Sequence, residues 1–393
     1  MYIAIICEFN PITNGHEYLI KRAKELSQLP VLCLMSGDFV QRGEPAILDK
    51  YTRARHAIAA GADVVLELPT IYSLGAAEKF ASGAIKILNA LGCVSHIIFG
   101  SECGNIEQIN SLCDLKLHET ETLKAKLKAY LDDGYSYSAA MQKAMISEEP
   151  TSASFFEGSN NILGLEYVTA IKKQQAYITP LTIKRIDNGY NSTNATSNYA
   201  SSSLVRKLAA SSDTAFKIEE YVPSFAVSPI ITNPKVNQKA YETLIINKIR
   251  ENEPRDLEKY FDYNEGIEYR IKEMCDKYSS LQMITEMAET KRYRSARINK
   301  LLIYPLLGIT KQIMNGIKRE VPAVKVLAMK NDAKNALSVL GKNVDLIVRS
   351  ENIDSLQGTK RDVYEIDLRA SNLYNLLIGL PNNMDKKIGT LFI

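Results

Sequence analysis

The sequence has no Cys-x-x-Cys pair, and none of its six cysteines has zinc-ligand spacing. This absence excludes the usual zinc motifs and predicts reduced thiols, as in a cytoplasmic protein. No apolar run approaches the roughly 20 residues that cross a bilayer, and the opening segment lacks the basic start of a signal peptide. Neither sign of charge is in large excess, since the net charge is only +3. That balance does not by itself indicate a nucleic-acid partner, but it allows a local basic patch.

The chain is long, and its two halves show different sequence patterns. Its 393 residues exceed one ordinary core, so two or three domains are expected. The hydrophobic share of 46% and the charged share of 24% are typical of globular proteins. We predict a catalytic domain over residues 1–212, with a helical insertion near 105–175. Residues 213–393 are predicted to form a mainly helical domain that ends in a small α/β tail.

Short apolar runs alternate with helical patterns of about a dozen residues in the first half of the chain. Such alternation predicts βαβ units and a parallel, Rossmann-like α/β sheet. The predicted strands are 2–8, 31–37, 63–69, 96–102 and 180–186. The predicted helices between them are 17–29, 51–62 and 76–92. Near the end of the chain, strands are predicted at 323–329 and 344–350 and a helix at 369–378, whereas the polar run 191–203 is predicted to be a mobile loop.

The string NPITNGHEYL (10–19) breaks the first strand and begins a helix. Ligands of open parallel sheets bind beyond the carboxyl ends of the strands, and a helix N-terminus there attracts anions. Gly15 lets a phosphate approach the backbone because it has no Cβ. His16 can donate to a phosphate oxygen, where it gains most as negative charge develops during substitution at phosphorus. A structural histidine would be the default for Gly-His alone, but the full string predicts a phosphate-binding corner.

Two motifs together resemble the HIGH nucleotidyltransferase superfamily. Residues Thr13–His16 match its (H/T)xGH signature after the first strand. Its second motif, a serine-rich helix start with a basic residue, resembles YASSSLVRKL (199–208). Ser202 and Ser203 are predicted to cap that helix and bind phosphate oxygens, and Arg206 to reach the same anion. The alternative for the second motif alone is an ordinary serine cap with a solvated arginine.

Longer stretches resemble one family in particular, the bacterial tRNA(Met) cytidine acetate ligases. The matching stretches are CEFNPITNGHEYL (7–19), MSGDFVQRGEPAILDKYTRARHAIAAGADVVLELP (35–69), FASGAIKIL (80–88), FGSE (99–102), NNILGLEYVTAI (160–171), SSSLVRK (201–207), KRYRSARINKLLIYPLLG (291–308) and DLRASNLYNLL (367–377). The resemblance implies that ATP, with Mg²⁺, activates acetate as acetyl-adenylate. The acetyl group then passes to N4 of the wobble cytidine of elongator tRNA(Met). Thr13 stands where this family usually has histidine, a change that the wider superfamily tolerates.

The resemblance also implies site residues. Catalytic roles fall to Thr13, His16 and Arg206. The implied ATP-binding residues are Ile6, Cys7, Glu8, Phe9, Asn10, Pro11, Ile12, Thr13, Asn14, Gly15, His16, Glu17, Tyr18, Leu19, Gly100, Asn161 (or Asn160), Arg185, Ser202, Ser203 and Arg206. Two of these have plain alternatives: Gly100 as a turn glycine and Asn161 as a helix cap. For Arg185, an arginine on a parallel strand favours an anion at the sheet end.

The remaining candidates lie in a loop and in a basic segment. Asp38, Gln41, Arg42 and Glu44 either order an acetate or cytosine pocket or hold their own loop together. For tRNA, the predicted contacts lie on one helical face with Tyr293 beside them for stacking; they are Lys291, Arg292, Arg294, Arg297 and Lys300. A solvated basic face is the alternative there. Structural roles are expected for His56, His96 and His118.

Two other functions remain open from the residues. A small-molecule adenylyltransferase, acting on a phosphate substrate and ATP, would share both motifs. A non-catalytic RNA-binding protein would keep the nucleotide pocket without the reaction.

Overall fold

The computed structural model describes residues 1–186, 198–211, 214–333 and 336–393, so residues 191–197 of the predicted loop lie outside it. The described strands form one mixed sheet in the order β5-β4-β1-β2-β3-β6-β7, with β8 beside β6. The strands are β1 (Tyr2–Cys7), β2 (Val31–Ser36), β3 (Val64–Leu68), β4 (Val94–Ser101), β5 (Thr179–Lys184), β6 (Val324–Met329), β7 (Leu346–Ile347) and β8 (Leu391–Phe392).

Helices pack around this sheet and make up most of the C-terminal half. They are α1 (Asn14–Ser27), α2 (Lys50–Ala59), α3 (Thr70–Ser73), α4 (Ala77–Leu91), α5 (Ile106–Leu117), α6 (Glu121–Asp132), α7 (Tyr137–Glu148), α8 (Ser159–Lys173), α9 (Ser202–Ala209), α10 (Ser224–Thr232), α11 (Gln238–Arg250), α12 (Pro254–Leu257), α13 (Ile267–Lys277), α14 (Leu281–Ala288), α15 (Ser295–Leu307), α16 (Lys311–Arg319), α17 (Ala336–Leu340), α18 (Glu351–Asp354), α19 (Gly358–Leu377) and α20 (Met384–Lys387). No helix in the described ranges is both long and apolar enough to cross a bilayer.

The predicted parallel sheet is confirmed. Strands β1 to β5 pair in parallel, with registers such as Ile5 opposite Cys33 and Ile97 opposite Pro180. The central strands are buried on both faces, which explains their continuous apolar runs. From β1 the chain builds β2 and β3 on one side and then β4 and β5 on the other. The order therefore reverses between β1 and β4, which is where such sheets bind ligands.

The C-terminal strands do not form a separate α/β tail, and that part of the prediction is wrong. Strand β6 pairs antiparallel with β3, with Val64 opposite Met329. Its apolar residues are wholly buried because they extend the main sheet instead of building a second one. The helix predicted at 369–378 is also longer than expected, since α19 begins eleven residues earlier, at Gly358.

A buried charge cluster joins the two ends of the chain. Lys50 Nζ lies 2.9 Å from Glu67 Oε2 and 2.7 Å from Asp385 Oδ1, and Lys325 Nζ lies 3.0 Å from the same Asp385 oxygen. Tyr51 donates its hydroxyl to Asp385 at 2.8 Å. Burial raises the pKa of Glu67 to about 8, while Lys50 and Lys325 hold the pKa of Asp385 well below its usual range against the opposing effect of burial. These contacts attach the C-terminal segment to β3 and α2.

We expect His56 to make folding acid-sensitive. Its ring is buried in α2 against Phe225, and burial lowers its pKa from 6.5 to about 4, with Asp49 opposing and Arg53 and Arg55 assisting. The unfolded chain therefore takes up this proton first as the pH falls. The free energy of unfolding should drop by up to about 3 kcal/mol between pH 6.5 and 4 from this group alone.

Urea unfolding of the wild type and of His56→Gln at several pH values in that window checks this expectation. The free energy of unfolding should fall more steeply with acid for the wild type than for the variant. Above pH 7 the two proteins should show the same dependence on pH. Equal slopes for the two proteins would contradict it.

Candidate active site

A cavity of about 520 Å³ opens at the carboxyl ends of β1, β4 and β5. Its wall includes the end of β1 and the start of α1, part of the loop 37–49, and the start of α9. Residues from the ends of β4 and β5 and from the start of α8 complete it. The cavity therefore lies at the reversal point of the strand order.

The phosphate-binding corner predicted for residues 10–16 forms one wall. After β1 the chain turns through Phe9, whose φ is +45°, and through a cis Asn10-Pro11 peptide. Thr13 then precedes α1 in an extended conformation. Its backbone N–H donates to His16 Nδ1 at 3.1 Å. Because Nδ1 accepts a hydrogen bond, the neutral ring carries its proton on Nε2, and His16 lines the cavity as a donor.

Two glycines leave space at the cavity wall because they have no Cβ. A Cβ on Gly15 would meet only ordinary contacts, with Thr13 Oγ1 at 3.7 Å and Tyr199 at 3.9 Å. Protein packing therefore does not require a glycine there, and close approach of a ligand explains it better. A Cβ on Gly100 would lie 3.2 Å from Arg185 Cγ, so this glycine also makes room for an arginine of the cavity wall.

The second motif binds directly to the first. Ser202 donates to the Pro11 carbonyl at 3.0 Å, and Arg206 donates to the Asn10 carbonyl at 2.6 Å. Arg206 also donates to Ser203 Oγ at 3.1 Å. The helix cap is Ser201, whose Oγ accepts from the Leu204 N–H, so the prediction that Ser202 and Ser203 cap α9 is wrong. Both serines are left to face the cavity, which they line with Arg206.

Most of the predicted ATP segment lines the cavity, and four of its residues do not. The lining members are Ile6, Cys7, Glu8, Phe9, Asn10, Thr13, Gly15, His16, Tyr18 and Leu19. Ile12 is buried in the core, and Pro11 contributes its carbonyl to Ser202. Asn14 donates to the Asn198 and Glu220 carbonyls, and Glu17 pairs with Lys21 at 3.1 Å. Direct ligand contacts are not expected from the side chains of these four.

The choice between the two asparagines favours Asn160. Asn161 is 2% exposed, and its amide is fully used, donating to the Phe155 carbonyl at 3.0 Å and accepting from the Cys103 N–H at 2.9 Å. It therefore holds α8 against the end of β4, and the cavity wall carries Asn160 instead. Arg185 lines the cavity as predicted, just beyond β5.

The loop 37–49 divides into a buried anchor and a cavity wall. Asp38 accepts from the Lys50 N–H at 2.9 Å and from Ser371 Oγ at 2.6 Å, so it holds the loop and does not face a ligand. Gln41, Arg42 and Glu44 line the cavity. Asp38 therefore has the loop-holding role, and Gln41, Arg42 and Glu44 stay candidates for the acetate or cytosine pocket.

Arg53 is a site-supporting residue that the sequence did not reveal. It is fully buried and donates to the Glu8 carbonyl at 2.8 Å, to the Ser36 carbonyl at 2.9 Å and to Gly37. One guanidinium thereby joins the carboxyl ends of β1 and β2. Helix α2 also carries Lys50, Arg55 and His56, so its sequence does not single out Arg53, and an arginine in such a helix is normally read as solvated.

Glu8 is the acidic group of the strand end. Its Oε1 accepts from the Gln41 N–H at 2.7 Å. Burial raises the pKa of this carboxyl, while the hydrogen bond and the nearby Arg53, Arg206 and Arg42 act in the opposite direction. Among the described residues, no group of three histidine, cysteine, aspartate or glutamate side chains has metal-site geometry.

The basic segment 291–300 does not form the predicted helical face. Helix α15 begins only at Ser295, so Lys291 and Arg292 precede it. Tyr293 is buried and donates to the Asn264 carbonyl, which removes it as a stacking surface. Lys300 is 9% exposed and donates to the Gly75 carbonyl at 2.7 Å, and burial lowers its pKa to about 8. The tRNA assignment of Lys300 is therefore wrong.

The other four cations of this segment reach the surface with carboxylate partners. Arg297 is half-buried and chelated by Asp262. The partners of the more exposed three are Asp133 for Lys291, Glu265 for Arg292 and Glu289 for Arg294. The three histidines outside the corner stay structural: His56 packs on Phe225, His96 pairs with Ser95, and His118 ends α5.

The fold and this cavity define a nucleotide-binding α/β protein of the nucleotidyltransferase class. A family model described as HIGH Nucleotidyl Transferase matches residues 1–388. The tRNA(Met) cytidine acetate ligase of Acetivibrio thermocellus is 34% identical over 396 residues, covering 96% of this chain and 95% of that protein. That of Clostridium perfringens (strain SM101) is 33% identical, covering 95% and 94%. The chain therefore belongs to the HIGH nucleotidyl transferases and, among them, to the tRNA(Met) cytidine acetate ligase family.

A solved structure shares the fold over the whole chain. The crystal structure of Thermotoga maritima TmcAL bound with alpha-thio ATP has a TM-score of 0.86 and 24% identity, and 100% of each chain is covered. The apo form of the same protein gives a TM-score of 0.88. The helical C-terminal half and the strands that extend the sheet are thus common to both proteins.

Proposed function

We propose that this chain is an ATP-dependent acetate ligase that acetylates N4 of the wobble cytidine of elongator tRNA(Met). One observation carries the proposal: the corner of residues 10–16 and the Ser201–Arg206 helix start are bonded together at a single cavity, through the carbonyls of Asn10 and Pro11. Relatives that match almost the full chain are named for this reaction. The nucleotide chemistry falls to residues 1–212 and the tRNA contacts to residues 213–393, in a cytoplasmic enzyme.

The first half-reaction is substitution at the α-phosphate. An acetate oxygen attacks that phosphorus, the bond to the β-phosphate oxygen breaks, and pyrophosphate leaves. Such a reaction is catalysed mainly by positioning and by stabilising the charge that develops on phosphate oxygens. His16 Nε2–H, the N-terminus of α1 and the Arg206 guanidinium supply donors on one side of the cavity. Mg²⁺ bound with ATP would neutralise part of the phosphate charge, and no side chain of the described residues is assigned to it.

The second half-reaction forms an amide. The N4 amine of cytidine attacks the acetyl carbonyl of the mixed anhydride, a proton leaves the nitrogen, and AMP departs. This amine is a poor nucleophile because its lone pair is delocalised into the ring. Prior activation of acetate is therefore what makes the step possible.

Exposed cations of the segment 291–294 are the proposed tRNA contacts. Their ion pairs are solvent-exposed, and such pairs contribute little to stability, so RNA phosphates can replace the carboxylates at small cost. Arg294 is the most exposed of the three, with 61% of its side chain accessible.

Arg294→Ala should weaken tRNA binding and flatten its salt dependence. A lost phosphate contact lowers the slope of log K against log salt by about 1. Filter binding of tRNA(Met) at several salt concentrations measures that slope. Lys124→Ala, which removes an equally paired surface lysine of α6, is the matched control and should leave the slope unchanged. A slope for Arg294→Ala equal to that of the wild type would exclude this arginine from the interface.

The reaction itself is tested by mass spectrometry of nucleosides from tRNA(Met) incubated with the protein, ATP and acetate. N4-acetylcytidine should form only when both small molecules are present. Adenylyl transfer to a phosphate acceptor without tRNA acetylation would instead indicate a small-molecule adenylyltransferase. Binding of tRNA with no modification would indicate a non-catalytic binder.

A further inference from the structure

One residue of the cavity wall carries a buried donor that has no acceptor among the residues that the structure describes. We propose that Gln41 holds one carboxylate oxygen of acetate, with Val40 lining the space for the methyl group. The proposal rests on the proposed function, because it assigns a subsite for the acid that is activated. It concerns residues of the loop 37–49 and not the phosphate-binding corner.

The first support is the side-chain amide of Gln41. Its Nε2 is shielded from solvent and has no hydrogen-bond partner among the described residues. A buried polar group without a partner is costly, and native proteins keep few of them without a reason. Gln41 is one of the residues that line the cavity, so a ligand acceptor that reaches this amide would satisfy it.

The second support is that the loop holds in place the backbone that carries this amide. The Gln41 N–H donates to Glu8 Oε1 at 2.7 Å, and a turn closes behind it through the Gly43 N–H and the Val40 carbonyl at 2.9 Å. Gly43 has a φ of +81°, and a Cβ there would lie 3.2 Å from the backbone of Asn299. Tyr241 donates to the Gly43 carbonyl at 2.8 Å. A ligand-binding group fixed in this way needs little ordering when the ligand arrives.

The third support is that part of the cavity wall is apolar. Val40, Phe80, Phe99 and Tyr167 are all nearly fully buried and all line the cavity. A methyl group is stabilised by such surroundings, whereas a phosphate is not. The loop also follows β2, the neighbour of β1, so it shares the carboxyl edge of the sheet with His16.

Charge favours acetate over the triphosphate as the ligand that binds near Gln41. Glu8 is bonded to the backbone of Gln41, and its carboxyl would repel a polyphosphate more strongly than a single negative charge. Arg53 and Arg206 lie close enough to offset one such charge. A neutral amide that holds one oxygen of acetate leaves the second oxygen available for attack on phosphorus.

The test compares Gln41→Leu with the wild type in acetate-dependent exchange of labelled pyrophosphate into ATP. Loss of one hydrogen bond to a charged group should raise the KM for acetate about 10- to 100-fold, with the KM for ATP changed less than about 2-fold. Thermal unfolding should show no loss of stability, because an unsatisfied amide is replaced by an apolar group of similar shape. Gln238→Leu, at an exposed position of α11, is the control and should match the wild type.

The outcomes separate the two proposals. A wild type without acetate-dependent exchange overturns the proposed function, and the acetate subsite with it. An active wild type whose acetate KM is unchanged in Gln41→Leu overturns the subsite alone, as does an equal rise in both KM values.

Val40→Ala gives a gain-of-function readout that a purely structural role would not produce. The added space should raise the ratio of kcat/KM for propionate to that for acetate by about 10-fold, since one methylene in an apolar pocket is worth roughly 10- to 200-fold in discrimination. An unchanged ratio would show that the methyl group lies elsewhere and would overturn this part of the proposal.

Discussion

His16→Ala should lower acetate-dependent pyrophosphate exchange by about 10²–10³-fold, the usual cost of removing one donor aimed at developing charge. The reason lies in the geometry of the corner. The Thr13 N–H occupies Nδ1 at 3.1 Å, which leaves the proton on Nε2, the nitrogen available to a phosphate oxygen. The loss should appear mainly in kcat, because this donor gains strength only as charge builds up on phosphorus. Steady-state exchange assays with varied ATP measure kcat and the KM for ATP.

Two further variants make the His16 result interpretable. His16→Gln keeps a donor near the position of Nε2 and should lose less activity than His16→Ala. His118→Ala, at the exposed end of α5, should be fully active. Full activity in His16→Ala would remove this histidine from the catalytic machinery.

Asp385→Asn should destabilise the fold by about 3–5 kcal/mol, the range measured when one partner of a buried ion pair is removed. In the wild type, Asp385 supplies the one fully ionised carboxylate beside the ammonium groups of Lys50 and Lys325, because burial raises the pKa of Glu67 to about 8 and leaves it mostly protonated at pH 7. The substitution leaves one more positive charge uncompensated where water cannot reach it. Urea-induced unfolding at pH 7, followed by far-ultraviolet circular dichroism, measures the change.

A second substitution tests whether charge is the cause. Adding Lys325→Met to Asp385→Asn removes the excess positive charge, so the double variant should recover part of the stability lost by the single one. Asp276→Asn, at an exposed position of α13 where the carboxylate pairs with Lys272, should cost less than about 1 kcal/mol. An Asp385→Asn protein as stable as the wild type would mean that the Asp385 carboxylate does not compensate the buried ammonium groups of Lys50 and Lys325.

Local patterns sufficed for the first half of the fold and for the corner. The strands 2–8 and 31–37 were predicted within one residue of β1 and β2 because buried parallel strands are continuous apolar runs. The position of the corner followed from the general rule that ligands bind at the carboxyl ends of such strands. A break in a strand, a glycine and a first-turn histidine are all readable from adjacent residues.

Features that depend on distant contacts were not readable. The basic segment 291–300 looked like one solvated face, but Lys300 lies under residues 74–75, which are far away in sequence. Asn160 and Asn161 are neighbours, and only the packing of α8 against β4 decides which of them lines the cavity. Strand β6 has no local sign that its partner is β3, about 260 residues earlier in the chain. The same holds for Arg53, whose acceptors come from two other strand ends.

The central claim is that the cavity beyond β1 binds ATP with its triphosphate between the Thr13–His16 corner and the Ser201–Arg206 helix start. A crystal structure of the protein with a non-hydrolysable ATP analogue tests it most directly. The account predicts phosphate oxygens within hydrogen-bond distance of His16 Nε2 and of the first backbone N–H groups of α1, with the base toward Gly100 and Asn160. An analogue bound elsewhere, with this corner left to solvent, would contradict it.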